Sequence, residues 1–279
     1  MSVSIPAVVL GASGYVGGEL LRLIAGHPIF SLQVAVSDSG AGKSIGELFP
    51  HLDRALAGHT FTAHGEWLDC VEADSTLALF SAAPHGASAA VIADAIAGCE
   101  KKGIEVHVVD SSADFRFADQ DTWETIYNSK HGAPELLDQF ICALPEHVDD
   151  VDVAHVGHPG CFATASTLAT VPLIQSGLTE AEVFISGVTG STGSGKRPQA
   201  GTHHPERNSN FYAYKPLAHR HAPEVATLAE AVSGRKTTVH FVPHSGPFAR
   251  GIHVTVQAKT KAPVTEMELL EVYQKAYAD

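Results

Sequence analysis

The chain has 279 residues, of which 44% are hydrophobic, and this length suits one large domain or two medium ones. Its 18 Lys and Arg residues face 31 Asp and Glu residues, and the net charge of −13 argues against nucleic acid or an anionic membrane as a partner. No apolar run approaches the length of a membrane span, no secretory leader is visible, and the four cysteines show no disulfide-like spacing. We therefore expect a soluble protein of the reducing cytoplasm.

A glycine-rich turn follows the first predicted strand, Ile5 to Leu10, and leads into a helix. Its spacing is GxxGxxG rather than the more common GxGxxG. Backbone amides in this setting can bind the pyrophosphate of a dinucleotide, although a merely tight turn between strand and helix is the alternative. The residues predicted to form this dinucleotide site are Gly11, Ser13, Gly14, Tyr15, Val16 and Gly17.

The second predicted strand, Leu32 to Ser37, ends where NAD-specific folds usually place an acidic residue for the ribose. Asp38 stands at that place and leaves NAD open. Ser37, Ser39 and Lys43 can instead hold the 2′-phosphate of NADP, which is the cofactor we favour. The segment that follows, 40–65, is predicted to be an irregular surface loop.

A third buried strand is predicted over Leu77 to Ala82, before a turn that contains Pro84 and His85. Loops at the carboxyl ends of parallel strands line the ligand crevice of such sheets. We therefore expect Pro84 and His85 to face the cofactor, with a structural or capping role as the alternative for the histidine.

A fourth strand, Glu105 to Val109, runs into a segment that contains Arg116. This arginine can bind a phosphate or a carboxylate, or form a salt bridge with Asp114. The residues from 117 to 152 are predicted to form turns and loops. Strands that alternate with helices up to His155 predict a Rossmann-type parallel sheet in the N-terminal half.

A cysteine stands at the next junction between a strand and a helix. The strand is predicted over Val153 to Gly157 and the helix over Phe162 to Ser176, with Cys161 directly before it. Backbone N–H groups at a helix start favour an anion, and a thiol there loses its proton more easily. We predict that Cys161 is a nucleophile, and the alternative is a small buried apolar residue.

The second half of the chain has a different character. Strands are predicted over Glu182 to Thr189, Thr237 to Pro243 and Gly251 to Ala258, and a helix from about Glu224 to Val232. In the last strand polar and apolar residues alternate, as expected for a sheet with one packed face. We predict an α+β catalytic domain over 157–279, attached to a nucleotide-binding domain over 1–156.

A basic segment lies between Lys196 and His221 in this otherwise acidic chain. Its cations are Lys196, Arg197, Arg207, Lys215 and Arg220, and Glu206 is its only acidic residue. The segment predicts a site for a small anion, with a solvated loop as the alternative. The glycine-rich string at 190–196 is not a Walker A box, because Arg197 replaces the final hydroxyl residue.

Histidine is abundant, with 17 residues, so a zinc site has to be considered. The pairs His203-His204 and His219-x-His221 match neither an HExxH helix nor a zinc-finger spacing, and we predict no metal site. A histidine that acts as acid and base beside a cysteine requires fewer assumptions, because imidazole titrates near neutral pH.

Eight motifs together resemble the N-acetyl-γ-glutamyl-phosphate reductases of arginine biosynthesis, a family related to aspartate-semialdehyde dehydrogenase. They are GASGYVG at 11–17, PHGAS at 84–88, DSSADFR at 110–116, ALPE at 143–146, HPGCFAT at 158–164, SGVTGSTGSG at 186–195, HRHAPE at 219–224 and ARGI at 249–252. The resemblance implies a Rossmann domain, a catalytic and oligomerisation domain of a homo-oligomer (dimer or tetramer), NADP(H), and Cys161 as the nucleophile. It places the active-site histidine at His219, with His221 as second choice or substrate ligand.

The implied reaction is the NADPH-dependent reduction of N-acetyl-γ-glutamyl phosphate to its semialdehyde and phosphate, through a thioester on Cys161. His219 is expected to protonate the developing oxyanion and to remove that proton when the intermediate collapses. The phosphate and carboxylates of the small anionic substrate are expected to bind Arg116, Arg207, Lys215 and Arg220.

Two features depart from the family's pattern. The family normally continues for some tens of residues past Asp279, so we expect a C-terminal segment to be absent. The stretch from Thr202 to Arg207, together with Tyr214-Lys215-Pro216, is similar to a branch whose substrate is tethered to a small acidic carrier protein in lysine or ornithine biosynthesis. The net charge of −13 favours the free substrate. A non-catalytic NADP-binding sensor, a zinc hydrolase and a dehydrogenase that acts on another acid are the competing interpretations.

Overall fold

A computed structural model describes residues 4–278, which divide into two compact units. The first unit contains the residues up to Cys142 together with Val151–His158. The second contains Ala143–Asp150 and the residues from Pro159 onward. Within residues 4–278, none of the helices combines the length and the apolar character that crossing a bilayer requires.

A parallel sheet of seven strands forms the centre of the first unit, with the strand order 3-2-1-4-5-7-6. The strands are β1 (Ile5–Leu10), β2 (Phe30–Val36), β3 (Phe61–Thr62), β4 (Thr76–Ser81), β5 (Glu105–Asp110), β6 (Phe140–Cys142) and β7 (His155–Gly157). The central strands consist of apolar runs, because their side chains are buried on both faces of the sheet. This arrangement confirms the predicted Rossmann-type sheet.

Four helices accompany this sheet, and they are α1 (Tyr15–Ala25), α2 (Ile45–Leu48), α3 (Ser88–Lys101) and α4 (Gln120–Tyr127). Two separate core clusters contain the buried side chains of α1 and α3. Leu21 and Ile24 of α1 belong to one cluster, and Ile92 and Ile96 of α3 belong to the other. The sheet is therefore packed on both faces, as a doubly wound fold requires.

Two segments differ from their predicted loops. The segment 40–65 contains α2 and β3, and its Ile45 and Phe61 are buried in the cluster that also holds α1. The segment 117–152 contains α4, whose Trp123 is 1% exposed. Both predictions were wrong because the apolar residues are few and irregularly spaced, so neither a strand nor a helix period is visible.

The second unit contains a mixed sheet of four strands in the order 11-8-10-9. The strands are β8 (Thr179–Thr189), β9 (Tyr212–Ala213), β10 (Thr238–Ser245) and β11 (Ile252–Thr260). β8 and β10 are parallel, and the outer strands β11 and β9 run antiparallel to their neighbours. His253, Thr255 and Gln257 of β11 are exposed and alternate with half-buried residues, which confirms the predicted single packed face.

The helices of this unit are α5 (Cys161–Gln175), α6 (His204–Arg207), α7 (His221–Ser233) and α8 (Glu266–Ala276). Helices α5 and α7 share one core cluster with the strands β8 and β10. Phe162 and Val225 contribute to it from the helices, and Val183 and Phe241 from the strands. α5 starts one residue earlier than predicted, so that Cys161 is its first residue.

Pro172 interrupts the hydrogen bonding within α5. Proline has no N–H, so the carbonyl of Leu168, four residues earlier, receives no hydrogen bond from position 172. The Tyr277 hydroxyl donates to the Leu168 carbonyl at 2.7 Å, and the Tyr273 hydroxyl donates to the Ala169 carbonyl at 2.5 Å. Tyr277, the residue after α8, therefore supplies the hydrogen bond that the proline removes.

We expect Tyr277→Phe to lower the free energy of unfolding by about 1 kcal/mol, because the Leu168 carbonyl loses this donor. Urea unfolding followed by circular dichroism measures the change. Tyr212→Phe is the matched control, since Tyr212 is 38% exposed on β9 and its removal should leave the midpoint unchanged. Equal midpoints for the Tyr277 variant and the unmodified protein would contradict the proposed role of this hydroxyl.

Candidate active site

The turn between β1 and α1 presents backbone amides at the start of a helix. Gly14 is the N-cap of α1, and no side chain of the described residues caps it. Gly11 has a φ of +68°, and a Cβ at this residue would lie 2.6 Å from the Ala82 carbonyl oxygen. A Cβ on Gly17 would likewise lie 2.6 Å from the Gly11 carbonyl oxygen. Only glycine fits both positions, and the resulting close turn directs the amides of α1 toward an anion.

At the N-terminus of α3, in contrast to that of α1, a carboxylate of the same unit accepts the backbone N–H groups. Asp114 accepts the N–H of Gly86 at 2.7 Å and the N–H of Ala89 at 3.0 Å. Among residues 4–278, no carboxylate caps the start of α1, and Tyr15 and Val16 lie exposed there. Of the two helix starts that follow β1 and β4, that of α1 is therefore the better anion site.

Three serine hydroxyls meet near the ends of β1 and β2. The Ser37 hydroxyl donates to the Ser13 hydroxyl at 2.7 Å, and the Ser39 hydroxyl lies 3.4 Å from both. The Asp38 carboxylate, the competing ribose ligand, accepts the backbone N–H of His64 at 2.8 Å. Hydroxyl groups can donate to phosphate oxygens, so this serine cluster can bind a phosphate group.

Buried side chains tie the loop after β4 to the loop after β5. Asp110 accepts the hydroxyls of Ser88 at 2.8 Å and Ser112 at 2.5 Å, and burial raises its pKa. The N–H of Ala113 donates to Nδ1 of His85 at 3.0 Å. This hydrogen bond agrees with the structural role that was the alternative for His85 in the sequence-based prediction. It also leaves the proton of the neutral ring on Nε2.

Arg116 is 5% exposed and bonds to backbone of the first unit. Its Nε donates to the His158 carbonyl at 3.0 Å, and its Nη2 donates to the Ser111 carbonyl at 3.2 Å. Part of the guanidinium is thus used to hold the end of β7 near the loop after β5. Lys43 and Pro84, two other predicted site residues, both lie exposed in loops of this unit.

Cys161 is exposed at the first turn of α5, and Gly160 is the N-cap of that helix. The next residue, Phe162, is 1% exposed and packs edge-on against Phe241, with 5.0 Å between ring centroids. The buried ring anchors the helix start in the core while the thiol faces outward. Cys99 is the cysteine that fits the apolar alternative, since burial raises its pKa to about 11.

His219 is surrounded by rings that meet it edge-on. The centroid distances are 6.0 Å to Phe162, 5.6 Å to Tyr214, 5.4 Å to Phe241 and 4.6 Å to His221. These rings come from α5, β10, the first residue of α7 and the segment before it. They shield part of the imidazole from water, and the His219 side chain is half-buried.

Desolvation keeps the His219 ring neutral. Burial, aided by the cations Arg220 and Lys215, lowers the pKa of His219 to about 4. The His221 N–H donates to Nδ1 of His219 at 3.2 Å, which leaves the ring proton on Nε2. His219 can therefore donate a hydrogen bond from Nε2 to an oxygen that becomes negative. Tyr214 lies in the same surroundings, and burial, aided by Cys161, raises its pKa to about 12.

Glu224 is a functional candidate that the sequence analysis missed. It is 1% exposed, and its Oε2 accepts the N–H of Gly160 at 2.8 Å. Its Oε1 lies 3.9 Å from Nε2 of His221, which is 6% exposed. The spacing of three residues between His221 and Glu224, on one face of a helix, was the available signal.

The basic segment does not form one cluster. Arg207 is 8% exposed, and its two Nη groups bond to the Ser245 hydroxyl and the Gly246 carbonyl. Its buried Nε has no hydrogen-bond partner among residues 4–278. Lys215 and Arg220 instead lie close enough to His219 to lower its pKa. Lys196 and Arg197 are exposed in the preceding loop.

The family models match both parts of the chain. Residues 6–158 match the model described as "Semialdehyde dehydrogenase, NAD binding domain". Residues 161–279 match the model described as "Semialdehyde dehydrogenase, dimerisation domain".

Several relatives align over nearly the whole chain. The N-acetyl-gamma-glutamyl-phosphate reductase of Methanopyrus kandleri is 37% identical over 96% of this chain and 76% of its own length. The enzyme of the same name from Pseudomonas aeruginosa PAO1 is 35% identical over 97% of this chain and 76% of its own. A relative from Aeropyrum pernix is 34% identical over 100% of this chain and 77% of its own, and bears a provisional name as a phosphate reductase for LysW-linked 2-aminoadipate or glutamate.

Solved structures of aspartate semialdehyde dehydrogenases share the fold. The Vibrio cholerae enzyme II, complexed with ASA, has a TM-score of 0.72 at 14% identity over 99% of this chain and 80% of that one. The Candida albicans enzyme with NADP has a TM-score of 0.56 at 15% identity, over 98% of this chain and 75% of that one.

We expect the His219 imidazole to titrate near pH 4, because the aromatic rings exclude water and two cations oppose its protonation. Since the folded pKa lies below the unfolded value, the neutral ring's contribution to stability is complete above about pH 6.5 and is lost as the pH falls toward 4. Histidine NMR resonances, assigned with His219→Gln, measure the titration. Arg220→Gln should raise the midpoint, and a midpoint at or above 6.5 in the unmodified protein would contradict a neutral His219.

Proposed function

The chain belongs to the semialdehyde dehydrogenases, in the family of N-acetyl-gamma-glutamyl-phosphate reductases, and on this basis we propose that it reduces N-acetyl-γ-glutamyl phosphate with NADPH. The products are N-acetylglutamate semialdehyde and phosphate, in arginine biosynthesis. The observation that carries the proposal is an exposed thiol, Cys161, at the start of a helix whose unit also holds a neutral histidine, His219.

The chain offers a fitting site for NADPH. The close glycine turn at the start of α1 suits the pyrophosphate, and the serine cluster suits a 2′-phosphate, for which Asp38 would be unfavourable. The Candida albicans neighbour was solved with NADP. The proposed ligands are Gly11, Ser13, Gly14, Tyr15, Val16, Gly17, Ser37, Ser39, Lys43, Pro84 and His85. When bound, the cofactor supplies the hydride for the reduction.

Cys161 is proposed to act as a thiolate, which the amides at the start of α5 stabilise. The sulfur attacks the carbonyl carbon of the acyl phosphate; a C–S bond forms, the C–O bond to phosphate breaks, and phosphate leaves. After hydride addition to the resulting thioester, the C–S bond breaks and Cys161 leaves again as a thiolate, which frees the aldehyde. The thiolate is regenerated, and the one proton that the overall reduction consumes is taken up from solvent by the departing phosphate.

His219 is proposed to stabilise the carbonyl oxygen whenever it becomes negative. Its Nε2–H is the available donor, because its Nδ1 accepts the His221 amide. A neutral donor held in place by surrounding rings costs little reorganisation when the charge develops. We therefore assign His219 hydrogen-bond donation, in place of the proton shuttling expected from the sequence, and His221 a supporting position.

The proposed substrate ligands are the cations Arg116, Arg207, Lys215 and Arg220. Lys215 and Arg220 lie near His219, and the buried Nε of Arg207 can donate to an anion. The match of 161–279 to a dimerisation domain supports a homo-oligomer, either a dimer or a tetramer. The four cysteines form no disulfide with one another, which supports the reducing cytoplasm as the location.

A second candidate function is the same chemistry on a substrate tethered to a carrier protein. The Aeropyrum pernix relative supports it, at 34% identity over the whole chain, and the exposed cations Lys196 and Arg197 can contact an acidic partner. The net charge of −13 opposes such a partner, because long-range repulsion slows the encounter of two acidic proteins. We therefore favour the free substrate.

The direct test is NADP-linked oxidation of N-acetylglutamate semialdehyde, with and without phosphate. We expect NADPH formation that depends on phosphate and falls at least about 1,000-fold in Cys161→Ser, because the alcohol is a poor nucleophile without a base. Cys70→Ser is the matched control, since Cys70 is also exposed, and it should retain full activity.

Each remaining outcome of this assay is equally informative. Activity retained in Cys161→Ser would contradict the thioester. Turnover of a carrier-linked substrate, in the absence of turnover of the free one, would establish the second function. Cofactor binding without any turnover would favour a sensor.

Ser39→Ala should raise KM for NADPH by roughly tenfold and leave KM for NADH unchanged, because one hydrogen bond to the 2′-phosphate is lost. Steady-state kinetics with both cofactors measure the effect. Ser31→Ala on β2 is the control, since this serine is exposed and lies outside the serine cluster. An equal increase in KM for both cofactors would show that Ser39 does not distinguish them.

A further inference from the structure

A carboxylate with no solvent contact lies behind the turn that carries Cys161. The side chain of Glu224 is 0% exposed, and its Oε2 accepts the N–H of Gly160, the residue before the cysteine, at 2.8 Å. A carboxylate buried in this way is strongly unfavourable unless nearby groups compensate it. The groups that compensate the buried negative charge therefore indicate which parts of this unit Glu224 holds in position.

Two helix starts meet at this carboxylate. Glu224 lies in the first turn of α7, and the amide that it accepts belongs to the N-cap of α5. The positive ends of both helix dipoles favour a negative charge at this place. Ala163 of α5 and Val225 and Ala229 of α7 belong to the same core cluster, so both helices that flank the carboxylate are anchored in one core.

The same side chain is connected to the histidine pair. The Oε1 of Glu224 lies 3.9 Å from Nε2 of His221, and the backbone N–H of His221 donates to Nδ1 of His219 at 3.2 Å. A continuous chain of contacts therefore runs from Gly160 through Glu224 and His221 to His219. It joins the turn before the proposed nucleophile to the proposed oxygen-stabilising group.

We propose that Glu224 is a positioning residue, which fixes the Gly160 to Cys161 peptide and the orientation of His219 relative to each other. Its effect on turnover rests on the proposed function, whereas its effect on the thiol does not. Its negative charge opposes formation of the Cys161 thiolate, while its hydrogen bond holds the turn in place. Removing the charge should thus make the thiolate easier to form and yet slow the reaction, because a neutral amide oxygen holds the Gly160 N–H less strongly than a carboxylate does.

The test is Glu224→Gln compared with Glu230→Gln, an exposed glutamate on the same helix, both in a Cys70→Ser background. The rate of alkylation of Cys161 by iodoacetamide is measured against pH, and kcat and KM are measured with the semialdehyde. For Glu224→Gln we expect the alkylation midpoint to move about one pH unit lower, with kcat about tenfold lower and KM within about twofold. Glu230→Gln should change none of these.

Glu224→Asp is the second variant, because it keeps the charge but withdraws it from Gly160. It should lower kcat without moving the alkylation midpoint. If Glu224→Gln fails to fold, the aspartate variant tests the proposal alone. A lower kcat with an unchanged alkylation midpoint then supports it. Identical alkylation profiles and kcat in the Glu224 variants and Glu230→Gln, or a change in KM alone, would overturn the proposal.

If the unmodified protein alkylates normally but shows no turnover, the proposed function fails, and the alkylation midpoint still tests the effect of Glu224 on the thiol. A shifted midpoint in Glu224→Gln then supports the link between Glu224 and Cys161, and an unshifted one overturns it. The two failures are therefore distinguishable.

Discussion

The amides in the first turn of a helix have no hydrogen-bond acceptor within the helix. The local structure within each unit depends on which group accepts them. At α3 a carboxylate from the next loop takes them. At α1, glycines keep side chains away and leave the amides for a ligand. At α5 the N-cap amide donates to Glu224, and Cys161 is the first residue of the helix. The same local property thus serves packing at α3, and we propose that it serves cofactor binding at α1 and catalysis at α5.

The neutrality of His219 shows how strongly distant parts of the chain determine local chemistry. Phe162 and Phe241 are far from it in the sequence, yet their rings lie 6.0 and 5.4 Å away and exclude water. An isolated histidine titrates close to physiological pH, whereas this one is expected to keep a single protonation state. The site thereby gains a donor whose hydrogen does not depend on the pH of the cell.

The sequence predicted those parts of the fold whose signal is local. The strand Ile5–Leu10 is an uninterrupted apolar run next to glycines, and its predicted bounds were confirmed. Trp123 was missed because its helix is short and mostly polar, so its burial arises from contacts with other segments. Glu224 was missed for a similar reason, since a glutamate on a helix is normally exposed and only the fold places it beside Gly160. Candidate site residues can therefore be proposed from motifs, whereas the contacts that surround them cannot.

The hydrogen bond between Tyr277 and the Leu168 carbonyl spans 109 positions of the sequence and has a consequence for synthesis on the ribosome. Translation proceeds at roughly 5–20 residues per second, so this carbonyl waits on the order of several seconds after it is made before its tyrosine is available. During that interval α5 lacks the bond that compensates for Pro172. The hydrogen bonding of the helix that carries Cys161 is thus complete only after Tyr277 has been made.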